Sequence, residues 1–414
     1  MSEIPHAERA NTEVFVTIEG PRTGKPFEMR TSTYGVLDPD PESPLSCVSV
    51  ANSSLSIDIW KGCAWQCSYC HVQGGLQDLD QDTLTMPNRP MKRSPFEISD
   101  IIDALESHPF FEPDVSVISI GTASTEPFAR GPVSESTFEI MEYFKDKGYK
   151  NPFWIVTKAG FPAEYEERLA EITAHGSQVM VSVCWANNPK HIEPVQTNRF
   201  RNIDAMKRAG ATVGWYLRPL AEGWSTEPEH LTETFRLAAE NGAGLDMIVP
   251  GGLRWTEGIE YGVEEIRGLE MPDIPHDDNV KELSDETWEL IDKLCAEYFP
   301  GTPVLRKSSC SLSNMLELPN HNLVQRKNVD MCQASACPAS QREICASHEL
   351  PSVEVLQGRL SVEVLQGRLA QVGLGHITVE HVDPETGNVQ TQPPLDTMTF
   401  ALQHITEIQT ARNS

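Results

Sequence analysis

The stretch LSIDIWKGCAWQCSYC, residues 55–70, runs from a short apolar segment straight into a loop that carries three cysteines. Leu55, Ile57 and Ile59 alternate with polar residues, the period-two pattern of a strand. Cys63, Cys67 and Cys70 follow at C-x3-C-x2-C spacing. Downstream the chain repeats the same design of short Val- and Ile-rich runs followed by helix-like stretches. Residues 115–120, 153–157, 178–183, 212–217 and 245–249 read as further strands, with helices near 97–107, 135–147, 163–174, 197–209 and 228–241 between them. Alternation of this kind builds a parallel sheet from βα units. The predicted fold class is therefore α/β, a partial (β/α)6 TIM-type barrel with a C-terminal cysteine-rich module and a small α+β tail.

Four segments follow from this reading. Residues 1–50, rich in Pro, Gly, Ser and Thr, form an N-terminal extension that adds a strand or wraps the core. Residues 51–270 are the barrel, and residues 271–348 are a separate module in which a helix around 285–298 leads into four late cysteines. Residues 349–414 form the tail, with a hairpin predicted around DPETGN and a final helix. Within the tail SVEVLQGRL occurs twice in tandem, at 352–360 and 361–369. Two copies of nine residues are too short for a solenoid, and no function attaches to them.

Composition narrows the function classes. The 414 residues are 39% hydrophobic and 22% charged, an ordinary globular balance. No apolar run approaches the roughly 18–20 residues of a membrane helix, and the N-terminus lacks a secretory pattern, so a cytoplasmic protein with no membrane partner is expected. Lys and Arg number 33 against 60 Asp and Glu, a net charge of −27. That excess repels phosphate backbones, disfavours nucleic acid and points to a small-molecule substrate. Ten cysteines without a secretion signal do not form a disulfide framework.

The cysteine loop has a chemistry of its own. Three thiolates can hold three irons of a 4Fe-4S cubane and leave the fourth iron open. A structural zinc site usually wants four protein ligands. His71 is a formal fourth ligand, but a residue adjacent to Cys70 rarely reaches the same ion; zinc and a chance grouping are the alternatives.

At these residues the chain resembles the radical S-adenosylmethionine (SAM) enzymes, whose signature has this spacing with an aromatic residue before the last cysteine, here Tyr69. The resemblance implies a 4Fe-4S cluster on Cys63, Cys67 and Cys70, with SAM chelated to the open iron through its amino and carboxylate groups. It further implies reductive cleavage of SAM to methionine and a 5'-deoxyadenosyl radical, which takes a hydrogen atom from a small metabolite or biosynthetic intermediate. An electron donor such as flavodoxin or ferredoxin is implied as well. VISIGTASTEPFARGP, residues 117–132, is similar to a Gly-Thr, Thr-Asp-Pro-Tyr type of segment in the spore photoproduct lyase-like branch. There Gly121 and Thr122 leave the second strand, and Ser124, Thr125 and Glu126 lie at its C-terminal end, where barrel active sites form. Thr125 and Glu126 are acceptors suited to the SAM amino group; a helix-capping cluster is the alternative. The likeness covers residues 50–260, with one departure. Spore photoproduct lyases place a hydrogen-donor cysteine between the cluster loop and the SAM-binding strands, and this chain has no cysteine between Cys70 and Cys184. The likeness therefore bears on fold and cofactor rather than substrate.

Further candidates come from the strand ends. Thr157 and Lys158 close the third strand, and Lys158 could pair with the methionyl carboxylate or simply be solvated. By strand parity Ser182 and Cys184 share one face, as do Gly214, Tyr216 and Arg218. If those faces point inward, Ser182 and Arg218 address the SAM ribose and carboxylate, and Cys184 or Tyr216 returns a hydrogen atom to a substrate radical. A buried inert thiol is the alternative for Cys184. Late in the chain, Cys310, Cys332, Cys337 and Cys345 are candidate ligands of an auxiliary iron-sulfur cluster or a zinc ion, or are unligated. Radical modification or repair of a peptide or nucleic acid, and a non-enzymatic iron-sulfur or zinc-binding module, compete with the metabolite enzyme. Thr125, Glu126 and Lys158 favour an enzyme, since an electron carrier needs no open iron.

Overall fold

The central strands are buried on both faces, and the reason is visible in what covers them. The computed structural model describes residues 15–30, 43–51, 54–65, 67–70, 91–106, 108, 111, 113–122, 124–129, 131–242, 244–276, 281, 283–318, 320, 337–347, 361–363, 366, 378–382 and 389–392. Its strands are β1 (Phe15–Glu19), β2 (Pro26–Arg30), β3 (Val48–Ala51), β4 (Ser54–Ile57), β5 (Trp60–Lys61), β6 (Lys92–Arg93) and β7 (Ile118–Ile120). They continue with β8 (Phe153–Thr157), β9 (Val179–Cys184), β10 (Thr212–Tyr216), β11 (Met247–Ile248), β12 (Thr378–Val382) and β13 (Val389–Gln392). The helices are α1 (Ile98–Leu105), α2 (Pro132–Asp146), α3 (Glu166–His175), α4 (Ile203–Arg208), α5 (Pro228–Asn241), α6 (Glu257–Glu260), α7 (Asp285–Tyr298), α8 (Ser308–Leu316) and α9 (Ala339–Ser347).

A seven-stranded sheet in the order β11-β10-β9-β8-β7-β4-β3 forms the centre of this α/β fold. Its strands pair in parallel except for β3, which runs antiparallel to β4 at one edge. On one face Phe153 and Ile155 of β8, Val181 and Val183 of β9 and Trp215 of β10 join the main core with residues of α1 to α5 and α7. On the other, Trp154 and Val156 of β8, Met180 of β9, Tyr216 of β10 and Met247 of β11 pack with Leu312, Met315 and Leu316 of α8. Burial on both sides explains the near-continuous apolar runs of β8 and β9, whereas β4 and β7 alternate with the buried Ser54, Ser56 and Ser119. The predicted cysteine-rich module thus supplies a helix to the second face.

The six expected core strands are present, some shorter than expected. The run at 115–120 yields only Ile118–Ile120, and that at 245–249 only Met247–Ile248. The helix expected over 197–209 is confined to Ile203–Arg208, because Asn202 before it adopts φ 64°. Proline at the first positions of α2 and α5 starts those helices where a missing N–H costs nothing. The tail hairpin is β12 with β13, antiparallel. The final helix and the first copy of the nine-residue repeat lie outside the described residues. Among the described residues no helix is long and apolar enough to cross a membrane.

The N-terminal extension contributes more than the edge strand. The β1–β2 hairpin is latched to the helical segment 257–266 by Glu265, whose carboxylate accepts from Arg22 N at 2.7 Å, Thr23 N at 3.1 Å and the Thr23 hydroxyl. Lys25 pairs with Glu260 beside it. A Cβ on Gly20 would stand 2.6 Å from Glu265 Oε2, so the hairpin reaches this acceptor only with glycine there. The Thr23 hydroxyl and the backbone donors hold the Glu265 carboxyl below the ordinary range. A depressed folded pKa gives stability that is present above the unfolded value and lost as pH falls through the folded one. The protection factors of residues 15–30, taken against the intrinsic exchange rate at each pH, should therefore fall on acidification below the ordinary carboxylate range, and Glu265→Ala should reproduce that loss of protection at neutral pH.

Candidate functional site

The three-cysteine loop leaves the C-terminal end of β4 and is pinned by its own backbone. Gly62 takes φ 95°, a conformation that side-chain-bearing residues rarely adopt. The Cys70 N–H donates to Cys67 O at 3.3 Å, and both Ser68 N and its hydroxyl donate to Ile192 O at 3.0 Å. That ties the loop to the segment following β9. Cys67 and Tyr69 are buried beside Ile192, Trp224, Leu253 and Ile259, whereas Cys63 and Cys70 are half-buried.

The thiols respond to this burial and to each other. Burial, then the neighbouring Cys70, pushes the Cys63 thiol well above its ordinary range. Cys67 is pushed up to about 12 by burial, against the pull of Lys158. Without a cation these groups stay protonated; a bound metal deprotonates a coordinating thiol outright. Among the described residues no three His, Cys, Asp or Glu side chains converge on a single-ion position. A cubane does not ask for that, because each thiolate binds a different iron. Three thiols on one loop, one buried and two half-buried, are a donor set suited to such a cluster. His71 lies outside the described residues.

Next to the thiols stands a buried charge cluster that the sequence did not reveal. Glu193 Oε1 accepts from Lys158 Nζ at 2.9 Å and pairs with Arg199 Nη2 at 2.8 Å, and the Glu193 and Arg199 side chains are each 1% exposed. Cys67 Sγ lies 3.8 Å from the same oxygen. Lys158 Nζ also bonds the Tyr69 hydroxyl and stands 4.4 Å from the centroid of that ring. Burial alone would raise the Glu193 pKa, but Lys158 and Arg199 outweigh it and hold the carboxyl below its usual range. Burial opposes the Lys158 charge too, and its anionic neighbours prevail. Glu193 and Arg199 occupy a loop without regular structure, and no spacing in that stretch points to them.

Residues 121–126 form the turn after β7. Gly121 takes φ 67° and its carbonyl accepts from Thr125 N at 3.0 Å. The Ser124 hydroxyl donates to Asp58 Oδ1 at 2.7 Å, and Thr122 bonds Ser56 at 2.9 Å and Ser119 at 3.0 Å. Both Glu126 oxygens are engaged: Oε1 by the Thr157 hydroxyl and by Phe128 N at 3.2 Å, Oε2 by Lys158 N at 2.7 Å. Glu126 thereby fastens the end of β7 to the end of β8, and burial raises its pKa. The Thr125 hydroxyl is buried with no partner among the described residues, as is Trp65 Nε1 on the cysteine loop. Orphaned polar atoms of this kind are costly unless a ligand meets them.

On β9 and β10 the parity expectation is met, since Ser182, Cys184 and Tyr216 share the face that packs against α8. Ser182 accepts from Trp154 Nε1 at 3.1 Å, Tyr216 bonds Ser311 at 2.7 Å, and Cys184 Sγ lies 3.5 Å from Arg218 O. Burial raises the Cys184 pKa, so the sulfur keeps its proton at neutral pH. Arg218 Nη1 donates to Ser308 at 2.7 Å.

Two of the late cysteines share one partner. Asn320 Nδ2 bonds Cys310 Sγ at 3.4 Å and Asn320 N bonds Cys345 Sγ at 3.4 Å, while Gln341 reaches Cys345 at 3.3 Å. Cys337 packs on the same apolar cluster as Cys310. Cys332 lies outside the described residues, and the remaining three do not converge on a single-ion position.

No protein family and no curated protein matches this chain. The site must therefore be read from its own chemistry. Glu193→Ala would leave Lys158 and Arg199 buried without a counterion and should destabilise the fold by about 3–5 kcal/mol, read as a lower urea midpoint. An unchanged midpoint would mean that Glu193 does not neutralise the two cations.

Proposed function

We propose that the chain is a radical SAM enzyme, built on a partial (β/α)6 barrel and acting on a small metabolite or biosynthetic intermediate. The observation that carries this reading is where the three-thiol loop stands. It leaves the end of parallel strand β4 and meets Lys158 from the end of β8 through Tyr69, while Glu126 from the end of β7 fastens the Lys158 backbone. Parallel strands that neighbour each other in chain order, from β4 and β7 through β11, support the barrel. Polar groups gathered at the C-terminal ends of such strands are where its active sites lie.

Cys63, Cys67 and Cys70 would hold a 4Fe-4S cluster with one iron left open. When bound, that cluster and SAM would supply the carbon-centred oxidant needed to remove a hydrogen atom from an unreactive C–H bond. The protein's tasks are to orient, neutralise and exclude water. Thr125 Oγ1 is a ready acceptor for the SAM amino group, since none of the described residues uses it. Lys158 and Arg199 offset thiolate charge, and Glu193 keeps both cations in place. Tyr69, Trp224 and Leu253 keep solvent and stray hydrogen donors away. Cys184, held as the thiol by burial, has the S–H bond that a hydrogen-atom donor requires.

Anaerobically purified protein should carry iron and form 5'-deoxyadenosine from SAM under reduction, and replacing Cys63, Cys67 and Cys70 together by Ala should abolish both. A triple variant that kept its iron and its SAM cleavage would sink the reading.

Thr125→Val should leave iron content intact and weaken SAM binding roughly 10- to 150-fold, the value of one hydrogen bond to a charged group. Equal SAM titration curves for the two proteins would assign Thr125 to the turn alone.

A further inference from the structure

Residues 256–274, TEGIEYGVEEIRGLEMPDI, follow the central sheet and carry none of the candidate ligands. The Thr256 hydroxyl caps the segment by accepting from Ile259 N at 3.1 Å. Helix α6 then widens into a π turn over Tyr261–Ile266. Turns of this kind are rare and recur at functional sites. Here the segment divides its side chains between two neighbours.

One set joins the cysteine loop. Ile259 and Val263 are buried in a single apolar cluster with Cys67, Tyr69, Ile192 and Trp224, and Leu269, Met271 and Ile274 pack on that cluster together with Cys70 and Trp65. The other set meets the N-terminal hairpin. The Tyr261 ring stands 5.3 Å from that of Phe27, edge to face, and Glu260 pairs with Lys25. Glu265 is buried, with its carboxylate on Arg22 N, Thr23 N and the Thr23 hydroxyl. Arg22 Nε in turn donates to Glu265 O at 2.9 Å. A Cβ on Gly268, at φ 65°, would run into the Arg22 guanidinium, as one on Gly20 would run into the Glu265 carboxylate. Two glycines, one on each side, thus let the hairpin and the segment close on each other.

We propose that residues 257–274 are a strap across the three-cysteine loop and that Glu265 is its clasp, a positioning residue that keeps Cys67 and Cys70 under apolar side chains by tying the strap to the β1–β2 hairpin. Apolar contact is not directional, so it draws the strap onto the loop without fixing where the strap lies. Hydrogen bonds are directional, and those of Glu265 fix it. Freed from the hairpin, the strap would keep only the contacts of one face, and segments with few buried contacts are the ones that open first. Cover of this sort serves a cluster by limiting water and stray hydrogen donors. That the covered loop holds a cluster rests on the function proposed above; the strap itself does not.

Native-state hydrogen exchange on the full chain, as purified anaerobically, tests the strap. Ser68 N, which donates to Ile192 O at 3.0 Å, reports on the cysteine loop, and β9 reports on the sheet. Glu265→Ala should lower the protection of residues 257–274 and of Ser68 roughly tenfold or more, with β9 unchanged. Gly20→Ala keeps Glu265 but drives a methyl group into its carboxylate, and should give the same pattern. From both variants iron should pass to an external chelator faster than from the wild type. Wild-type protection at Ser68 in both variants would overturn the strap, and so would a loss at β9 in step with Ser68, which would show the whole fold loosened. Loss of protection at Ser68 in a chain that carries no iron would uphold the strap and remove the cluster.

Discussion

A parallel sheet covered on both faces has no room for charge except at the ends of its strands, and most of this molecule follows from that constraint. Helices α1 to α5 and α7 cover one face and α8 the other. Buried serines fit within the strands, as at 56, 119 and 182, but several buried or half-buried charged side chains lie in the turns that follow β4, β7, β8, β9 and β10. Those turns supply the cysteine loop, Thr125 and Glu126, Lys158, Glu193 and Arg218. A shared strand direction gathers residues far apart in sequence into one layer.

Within that layer the charges divide into two groups with different balance. Glu193 neutralises Lys158 and Arg199, and the set lies against Cys67 and Tyr69. In a low-dielectric surrounding such pairing is what keeps three ionised groups folded inside. Arg218, past the end of β10, is held instead by neutral groups, the Ser308 hydroxyl and the face of the Tyr216 ring.

The N- and C-terminal regions act on this core from opposite directions. The β1–β2 hairpin grips the segment after β11 through Glu265, and that segment carries Ile259 and Val263, which pack in the cluster holding Cys67 and Tyr69. Helix α8 closes the second sheet face, and its Ser308 and Ser311 bond Arg218 and Tyr216. Regions that carry no candidate cofactor ligand, or only late cysteines, therefore position residues of the central layer.

Local pattern is enough to specify the strands, the order of βα units and the cysteine loop. Period-two runs such as LSIDI, apolar runs such as 179–183 and the C-x3-C-x2-C spacing are properties of neighbours in the chain. Strand parity likewise pairs Ser182 with Cys184 and Gly214 with Tyr216 on one face of each strand, and the register of β9 with β10 puts the two sets side by side. Glu193 and Arg199 were not legible, because an ion pair buried by a loop has no periodicity and looks like any solvated charge. Nor could a linear reading separate Glu126, whose oxygens are occupied, from Thr125, whose hydroxyl is not. Arg218 could be named from parity, but not what holds it, the Ser308 hydroxyl and the face of the Tyr216 ring. Whether a buried charge is paired depends on which loops fold over it, and only the tertiary structure brings Glu193 and Arg199 to Lys158 and Cys67.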